Sequence, residues 1–184
     1  PTHERQAYRY FVGNGIPKLV ERLAPADQRT PAVLEAALAD FKRDYGQHLR
    51  DTTAPYPGIP EMLAKLKANG VQLAVFSNKA DALAKEVVKD YFGTQYFTIV
   101  RGQMTGVAPK PAAEGTNALL QALHADPAST LYVGDSNVDV ETAHNANLPC
   151  CGAVWGFRTR EELNAAGAEY LAENSDELYD VIMK

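Results

Sequence analysis

Beyond residue 55 the chain alternates short apolar runs with longer stretches of helical spacing, and that alternation limits the fold more than any other feature. Val71 to Phe76 (VQLAVF), Tyr96 to Val100, Thr130 to Val133 (TLYV) and Cys150 to Val154 have the length and composition of buried strands, with a further short strand near Tyr170. Between and around them, Ile59–Asn69, Ala80–Asp90, Ala112–His124, Val138–Ala146, Thr159–Ala166 and Asp176–Met183 read as helices, the first ended by Gly70. Such alternation predicts an α/β fold, a parallel sheet with helices on both faces. In sheets of that kind ligands bind at the carboxyl ends of the strands, so the chemistry is sought there.

Before residue 55 the pattern is helical only. Ala7, Tyr8, Phe11 and Val12 give His3–Val12 helical spacing, and Ile16–Leu23 follows with Pro17 in its first turn. Gly13-Asn14-Gly15 separates the two, with Asn14 or Gly15 suited to a positive φ. Thr30 is placed as the cap of a third helix, with Pro31 at its first position. The stiff stretch Thr52-Thr53-Ala54-Pro55-Tyr56-Pro57-Gly58 marks a boundary, giving a small all-helical domain at 1–54 and an α/β domain at 55–184.

Composition narrows the classes. Of 184 residues, 46% are hydrophobic, enough for a real core. Eighteen Lys and Arg against 23 Asp and Glu leave a net charge of −5, which argues against a nucleic-acid partner. No run approaches the ~18 apolar residues of a membrane span, and no signal-peptide pattern opens the chain, so no membrane partner is expected. The two cysteines, Cys150 and Cys151, are sequence neighbours, a poor geometry for a disulfide. A reduced, cytoplasmic protein is expected, with at most one of the two cysteines facing the core.

Three groups stand at successive strand ends. Ser77-Asn78-Lys79 follows the first strand; a hydroxyl and backbone N–H groups at a strand-to-helix turn cradle phosphate, although Ser77 as a simple helix cap explains it too. Lys110 stands before Pro111, which is expected to start the next helix; a lysine at a helix mouth opposes the dipole and suggests an anion, or else it is a solvated loop residue. Gly134-Asp135-Ser136-Asn137-Val138-Asp139 follows the third strand. One helical turn separates Asp135 from Asp139, a carboxylate pair that suits Mg²⁺, with Asp135 or Ser136 as a helix cap the alternative reading.

Taken in order, Ser77, Lys110 and the GDSNVD block resemble motifs two, three and four of the haloacid-dehalogenase-like phosphohydrolases. The resemblance covers nearly the whole chain. The helices before residue 55 resemble the inserted cap of the helical-cap subclass. YRYFVGNGIPKLVERL, YPGIPEML, VFSNK and VWGF resemble the phosphoglycolate phosphatase branch. The resemblance implies a Rossmann-like core and a Mg²⁺-dependent phosphatase of a small phosphorylated metabolite, 2-phosphoglycolate first. It implies that Ser77 and the Asn78 backbone hold phosphate oxygens, and that Lys110 offsets charge on phosphate and nucleophile. By the same resemblance Asp135 binds Mg²⁺, and Asp139 orients Lys110 or a metal-bound water. The Gly13-Asn14-Gly15 loop would close over the leaving group.

The nucleophile of that family is an aspartate in a DxDGT-type motif on a strand preceding the cap. No such motif occurs here, and neither Asp51 nor Asp126 takes its place. That strand is central in the family's sheet. The resemblance therefore implies an N-terminal strand, loop and helix of roughly 20–35 residues ahead of Pro1, without which the chain is not expected to turn over substrate. Four other classes of protein stand beside this one. A dehalogenase needs no metal block; a hexose-phosphate mutase carries Glu-Asp where this chain has Gly134-Asp135; a phosphate-binding regulatory protein needs no nucleophile. A receiver domain has its acids before the hydroxyl and lysine, the reverse of the order here. Among other residues, Arg101, Arg158 and Lys79 are in reach of an anion, Trp155 reads as loop packing, and the four histidines show no ligand spacing. The exact substrate and oligomeric state leave no mark in the sequence.

Overall fold

The computed structural model describes residues 2–184. The chain divides into two compact units, Pro1–Pro55 and Tyr56–Lys184. In the first, α1 (Tyr8–Phe11), α2 (Ile16–Leu23) and α3 (Pro31–His48) are joined by short turns. Thr30 Oγ1 accepts the Val33 N–H at 3.4 Å, which caps α3, and Pro31 occupies its first turn. α1 is a single turn, shorter than the helix predicted from His3. The reason lies in His3: a ring nitrogen bonds the Leu23 carbonyl at 3.1 Å, and its ring meets Phe11 edge-on at 5.0 Å. These contacts tie the preceding residues across to the end of α2 instead of winding them into α1. Gly13 (φ 112°) and Gly15 (φ 83°) take the positive backbone angles between the helices; Asn14 does not.

The second unit runs α4 (Ile59–Ala68), β1 (Leu73–Ala80), α5 (Asp81–Phe92), β2 (Phe97–Gln103), α6 (Ala113–Leu123), β3 (Tyr132–Gly134), α7 (Asn137–Asn145), β4 (Cys150–Ala153), α8 (Arg160–Ala165), β5 (Tyr170–Ala172) and α9 (Ser175–Ile182). Every strand pairing is parallel. The strands form two sheets, β1-β2 and β3-β4-β5, not one. β1 and β3, which carry neighbouring motifs, each end their sheet. Local periodicity predicts strands but not their partners, so this division is invisible in sequence.

Two apolar clusters fill the unit. Val140, Ala143, Leu148 and Leu163 gather with Cys150. Met62, Leu63, Leu66 and Leu178 gather with Cys151, and Leu73 and Phe97 of the other sheet pack against them. Both cysteines are therefore completely buried, against the expectation that at most one would be. β4 is the middle strand of its sheet and is covered on both faces, so alternation along it leads from one core to the other rather than from core to water. Burial pushes the Cys150 thiol up to about 12 and that of Cys151 up to about 11, so neither is a thiolate near neutral pH. Among the described residues, no helix is long and apolar enough to cross a membrane.

Candidate active site

β1 extends further than the apolar pattern predicts, through Ser77, Asn78 and Lys79 to Ala80, and α5 begins only at Asp81. The extra length is a bulge. Phe76 pairs with Arg101 and Ala80 with Gln103, so Ser77, Asn78 and Lys79 stand opposite Gly102 alone. Ser77 Oγ accepts the Lys79 N–H at 3.1 Å. One backbone N–H of the predicted phosphate cradle is thus already engaged. The hydroxyl acts there as acceptor, which leaves its own proton to donate.

The bulge turns Asn78 inward, to 8% exposure. Its Oδ1 accepts the Lys110 N–H at 2.8 Å, and its Nδ2 donates to the Lys110 carbonyl at 3.2 Å. The end of β1 is therefore fastened to the backbone of Lys110, 32 residues later. Pro111 does not open α6, which starts at Ala113, so Lys110 stands in the turn before the helix and not at its mouth.

The anion beside Lys110 is Asp139. Lys110 Nζ donates to Asp139 Oδ1 at 2.6 Å, with the two side chains only 11% and 9% exposed. The ammonium also lies 5.9 Å from the ring centres of Phe76, on β1, and Tyr132, on β3. Burial is the largest single influence on Lys110 and works against its charge. Asp139 and Tyr132 together outweigh it and raise the pKa above the ordinary lysine value. Lys110 is thus a fixed positive charge between the two sheets. Burial pushes the Tyr132 phenol up to about 12.

Asp139 is fully occupied. Its Oδ2 accepts the N–H groups of Asp135 (3.2 Å) and Ser136 (3.1 Å) and the Ser136 hydroxyl (2.6 Å). This is helix-start chemistry, with the carboxylate of the first turn folded back onto Ser136. Asp139 holds Lys110 and the start of α7. Gly134 makes this possible, because a Cβ there would overlap the Asp139 side chain.

Asp135 faces a different environment. Its Oδ2 accepts the Phe157 N–H at 3.2 Å, and its backbone carbonyl accepts the Arg158 N–H at 3.0 Å. Burial first, then the neighbouring Asp139 charge, raises its pKa above the ordinary carboxylate range, while Phe157, Lys110 and Arg158 partly offset this. A Cβ on Gly156 would overlap the Asp135 carboxyl, so the loop after β4 is shaped around that side chain. In the sequence the VWGF block is the signal that leads to Gly156 and Phe157, while nothing local marks Tyr132 as part of this site.

Gly13, Asn14 and Gly15 lie in the helical unit. Asp126 caps a turn through the Ala128 N–H at 2.9 Å, and Asp51, in the helical unit, pairs with His48 at 2.7 Å. Trp155 packs against the Met62–Leu66 cluster, and Arg158 is buried beside Asp135.

A hydroxyl on β1, a fixed ammonium in the turn before α6 and a partly buried carboxylate just after β3 stand toward the carboxyl ends of strands of a parallel α/β core. The chain belongs to the haloacid dehalogenase-like hydrolase family, whose model matches residues 2–153. Within that family it resembles phosphoglycolate phosphatases. It is 30% identical to the enzyme of that name from Mesorhizobium japonicum over 159 residues, 85% of this chain and 70% of the relative. To the Neisseria meningitidis phosphoglycolate phosphatase it is 33% identical over 150 residues, 80% of this chain and 64% of that one. It thus spans about two thirds of these relatives' length. A crystal structure from Lactobacillus delbrueckii, provisionally assigned as a phosphoglycolate phosphatase, superposes with a TM-score of 0.91 at 26% identity, covering 98% of this chain and 83% of its own.

The loop around Asp135 yields a direct test. A Cβ on Gly156 would overlap the Asp135 side chain, so in Gly156→Ala one of the two must shift; on the proposal made below that Asp135 holds Mg²⁺, affinity for the ion is expected to fall by about 10–100-fold, the scale of a disturbed supporting contact. Titration of Mg²⁺ by calorimetry checks it; unchanged affinity would mean that Asp135 does not need this loop.

Proposed function

We propose that the chain forms the phosphate- and metal-binding part of a Mg²⁺-dependent phosphatase acting on a small phosphorylated metabolite, with 2-phosphoglycolate the first candidate. The observation that carries the reading is Lys110, a buried ammonium held by Asp139 and Asn78 between β1 and β3. Ser77 donates its hydroxyl proton to a phosphate oxygen. Lys110 offsets the charge that gathers on the transferring phosphoryl group, and its partial removal from water makes that offset strong. Asp139 keeps Lys110 in place and charged.

Asp135 suits the metal. Mg²⁺ typically takes one or two carboxylates, completing its shell with water and substrate phosphate. A partly buried carboxylate with a raised pKa that accepts the Phe157 N–H gains from a cation; Asp139, with both oxygens engaged, does not offer itself. Bound at Asp135, Mg²⁺ supplies charge neutralisation and orientation of the phosphate.

The nucleophile is assigned to an aspartate outside these residues, on a strand that pairs with both β1 and β3. The support is that each of these strands ends its sheet. The substrate rests on the names of the relatives. The mutase reading loses ground at Gly134: it asks for a glutamate where Asp139 already fills the space.

Hydrolysis of 2-phosphoglycolate, followed by phosphate release with and without EDTA, tests the proposal. The protein carrying the additional strand is expected to turn over at the ordinary enzyme scale of about 1–10³ s⁻¹ with Mg²⁺ and not without it. The 184 residues alone are expected to bind phosphate without turnover. Turnover by these residues alone would refute the nucleophile assignment. Metal-independent halide release would favour a dehalogenase, and no turnover of any phosphate ester would favour a binding protein.

A further inference from the structure

We propose that the Asn78 carboxamide is a positioning residue: it sets the place of the Lys110 ammonium by gripping the Lys110 backbone. The proposal rests on the role just given to Lys110, and it concerns the side chain of Asn78, whereas the phosphate reading concerns only its backbone.

Three observations carry it. First, the grip is two-sided. Oδ1 accepts the Lys110 N–H at 2.8 Å while Nδ2 donates to the Lys110 carbonyl at 3.2 Å, so one planar amide satisfies both polar groups of a single residue. A carboxamide presents an acceptor and donors side by side; Ser or Thr has no such pair in one plane, and a carboxylate has no donor. Second, the grip is built into the strand. The bulge that sets Ser77–Lys79 opposite Gly102 is what brings Asn78, at 8% exposure, to the turn after β2. Third, Lys110 has no regular structure of its own to fix it. It precedes α6 and lies beyond the end of β2, so its backbone is not held by a helical or strand ladder. The far end of the side chain is fixed by Asp139 at 2.6 Å, and the near end is fixed by Asn78.

With both ends held, the ammonium stays where phosphate meets it. Without the near grip, the turn relaxes and the long side chain carries the displacement to Nζ. Misplacement by about 1 Å costs on the order of 10²-fold in rate. Ser77 shares the same bulge, so the hydroxyl and the ammonium are set against each other by one local distortion of β1.

The test compares Asn78→Ala and Asn78→Asp in the full-length protein. Asn78→Asp has nearly the same shape and keeps the acceptor for the Lys110 N–H but loses the donor. It guards against the alanine variant failing to fold. Three readouts are taken: amide hydrogen exchange at Lys110, the ¹⁵N ammonium signal of the Lys110 side chain, and kcat and KM for 2-phosphoglycolate. Asn78→Ala is expected to lose protection at the Lys110 amide and to broaden or shift its ammonium signal. Its kcat is expected to fall about 10–100-fold with KM changed less than about 3-fold. Asn78→Asp is expected to keep amide protection and still lose kcat. A general loss of stability would instead move many amides, which exchange across β4 reports as a control.

Unchanged Lys110 protection in Asn78→Ala, or an unchanged ammonium signal in either variant that folds, would overturn the grip. A changed amide with unchanged kcat would overturn the positioning role and leave the phosphatase reading intact. Should the parent protein hydrolyse no phosphate ester, that reading fails on its own. The ammonium signal and the affinity for inorganic phosphate then decide the positioning claim, and a variant that keeps both sinks it.

Discussion

Asp139→Ala is expected to destabilise the α/β unit by about 3–5 kcal/mol and to reduce any phosphatase activity by at least about 10²-fold. The stability figure is that of breaking a buried ion pair from one side: the remaining Lys110 charge has little water to turn to. The loss extends beyond the pair, since the N–H groups of Asp135 and Ser136 and the Ser136 hydroxyl all end on the same carboxylate oxygen. For a chain of this size each kcal/mol moves Tm by about 2–4 °C, so thermal unfolding should shift by roughly 6–20 °C. Lys110→Met is expected to cost less, because Asp139 keeps its contacts with Asp135 and Ser136. The double variant should be milder than the sum by about 1–3 kcal/mol, the coupling of the pair. Additive losses would show that the 2.6 Å contact contributes nothing to folding, and that Asp139 matters only through the start of α7.

How far the sequence reveals this site depends on whether the interaction is local. The strand–helix order, the Thr30 cap and the position of Asp135 directly after β3 follow from patterns a few residues long. The pairing of β1 with β2 and of β3 with β4 does not, because it joins segments that are remote in sequence. Asn78 is the sharpest case. A Ser-Asn after a strand looks like a turn, yet the backbone bulges and the amide reaches a residue 32 positions on. Asp139 is a second case. Spacing of four from Asp135 suggests two carboxylates on one side, but the first turn of α7 folds Asp139 back onto Ser136 and Lys110. Ser136 and Asp139 together form the helix start. The cysteines show the limit of alternation, which separates core from water only where one face of a strand is wet.

Asp135→Asn should separate function from stability. Asp135 carries a raised pKa, caused first by burial and then by Asp139, so its charge opposes folding when no cation is bound. The native protein then holds its proton to higher pH than the unfolded chain does. Stability contributed by the protonated form is fully present below the ordinary carboxylate pKa and is lost as pH rises through the raised native value. At neutral pH the metal-free protein therefore tolerates an unfavourable charge. Asparagine removes that charge, keeps the shape beside Gly156, and retains an oxygen for the Phe157 N–H. The metal-free variant is expected to melt about 2–4 °C higher than the parent near pH 7, the effect of ~1 kcal/mol, with the gap closing toward acid pH. Its Mg²⁺ response should move the opposite way. Millimolar Mg²⁺ should raise the Tm of the parent by preferential binding and leave the variant unmoved. Activity in the full-length protein should fall by about 10²–10³-fold, in line with removal of a group that stabilises charge in the transition state. Calorimetric melts at several pH values, with Mg²⁺ and with EDTA, read all of this without depending on turnover. A variant that melts lower than the parent in EDTA, or that still gains from Mg²⁺, would remove Asp135 from the metal site. Gain of stability with loss of Mg²⁺ response is the signature of a residue kept for its ligand at the expense of the fold.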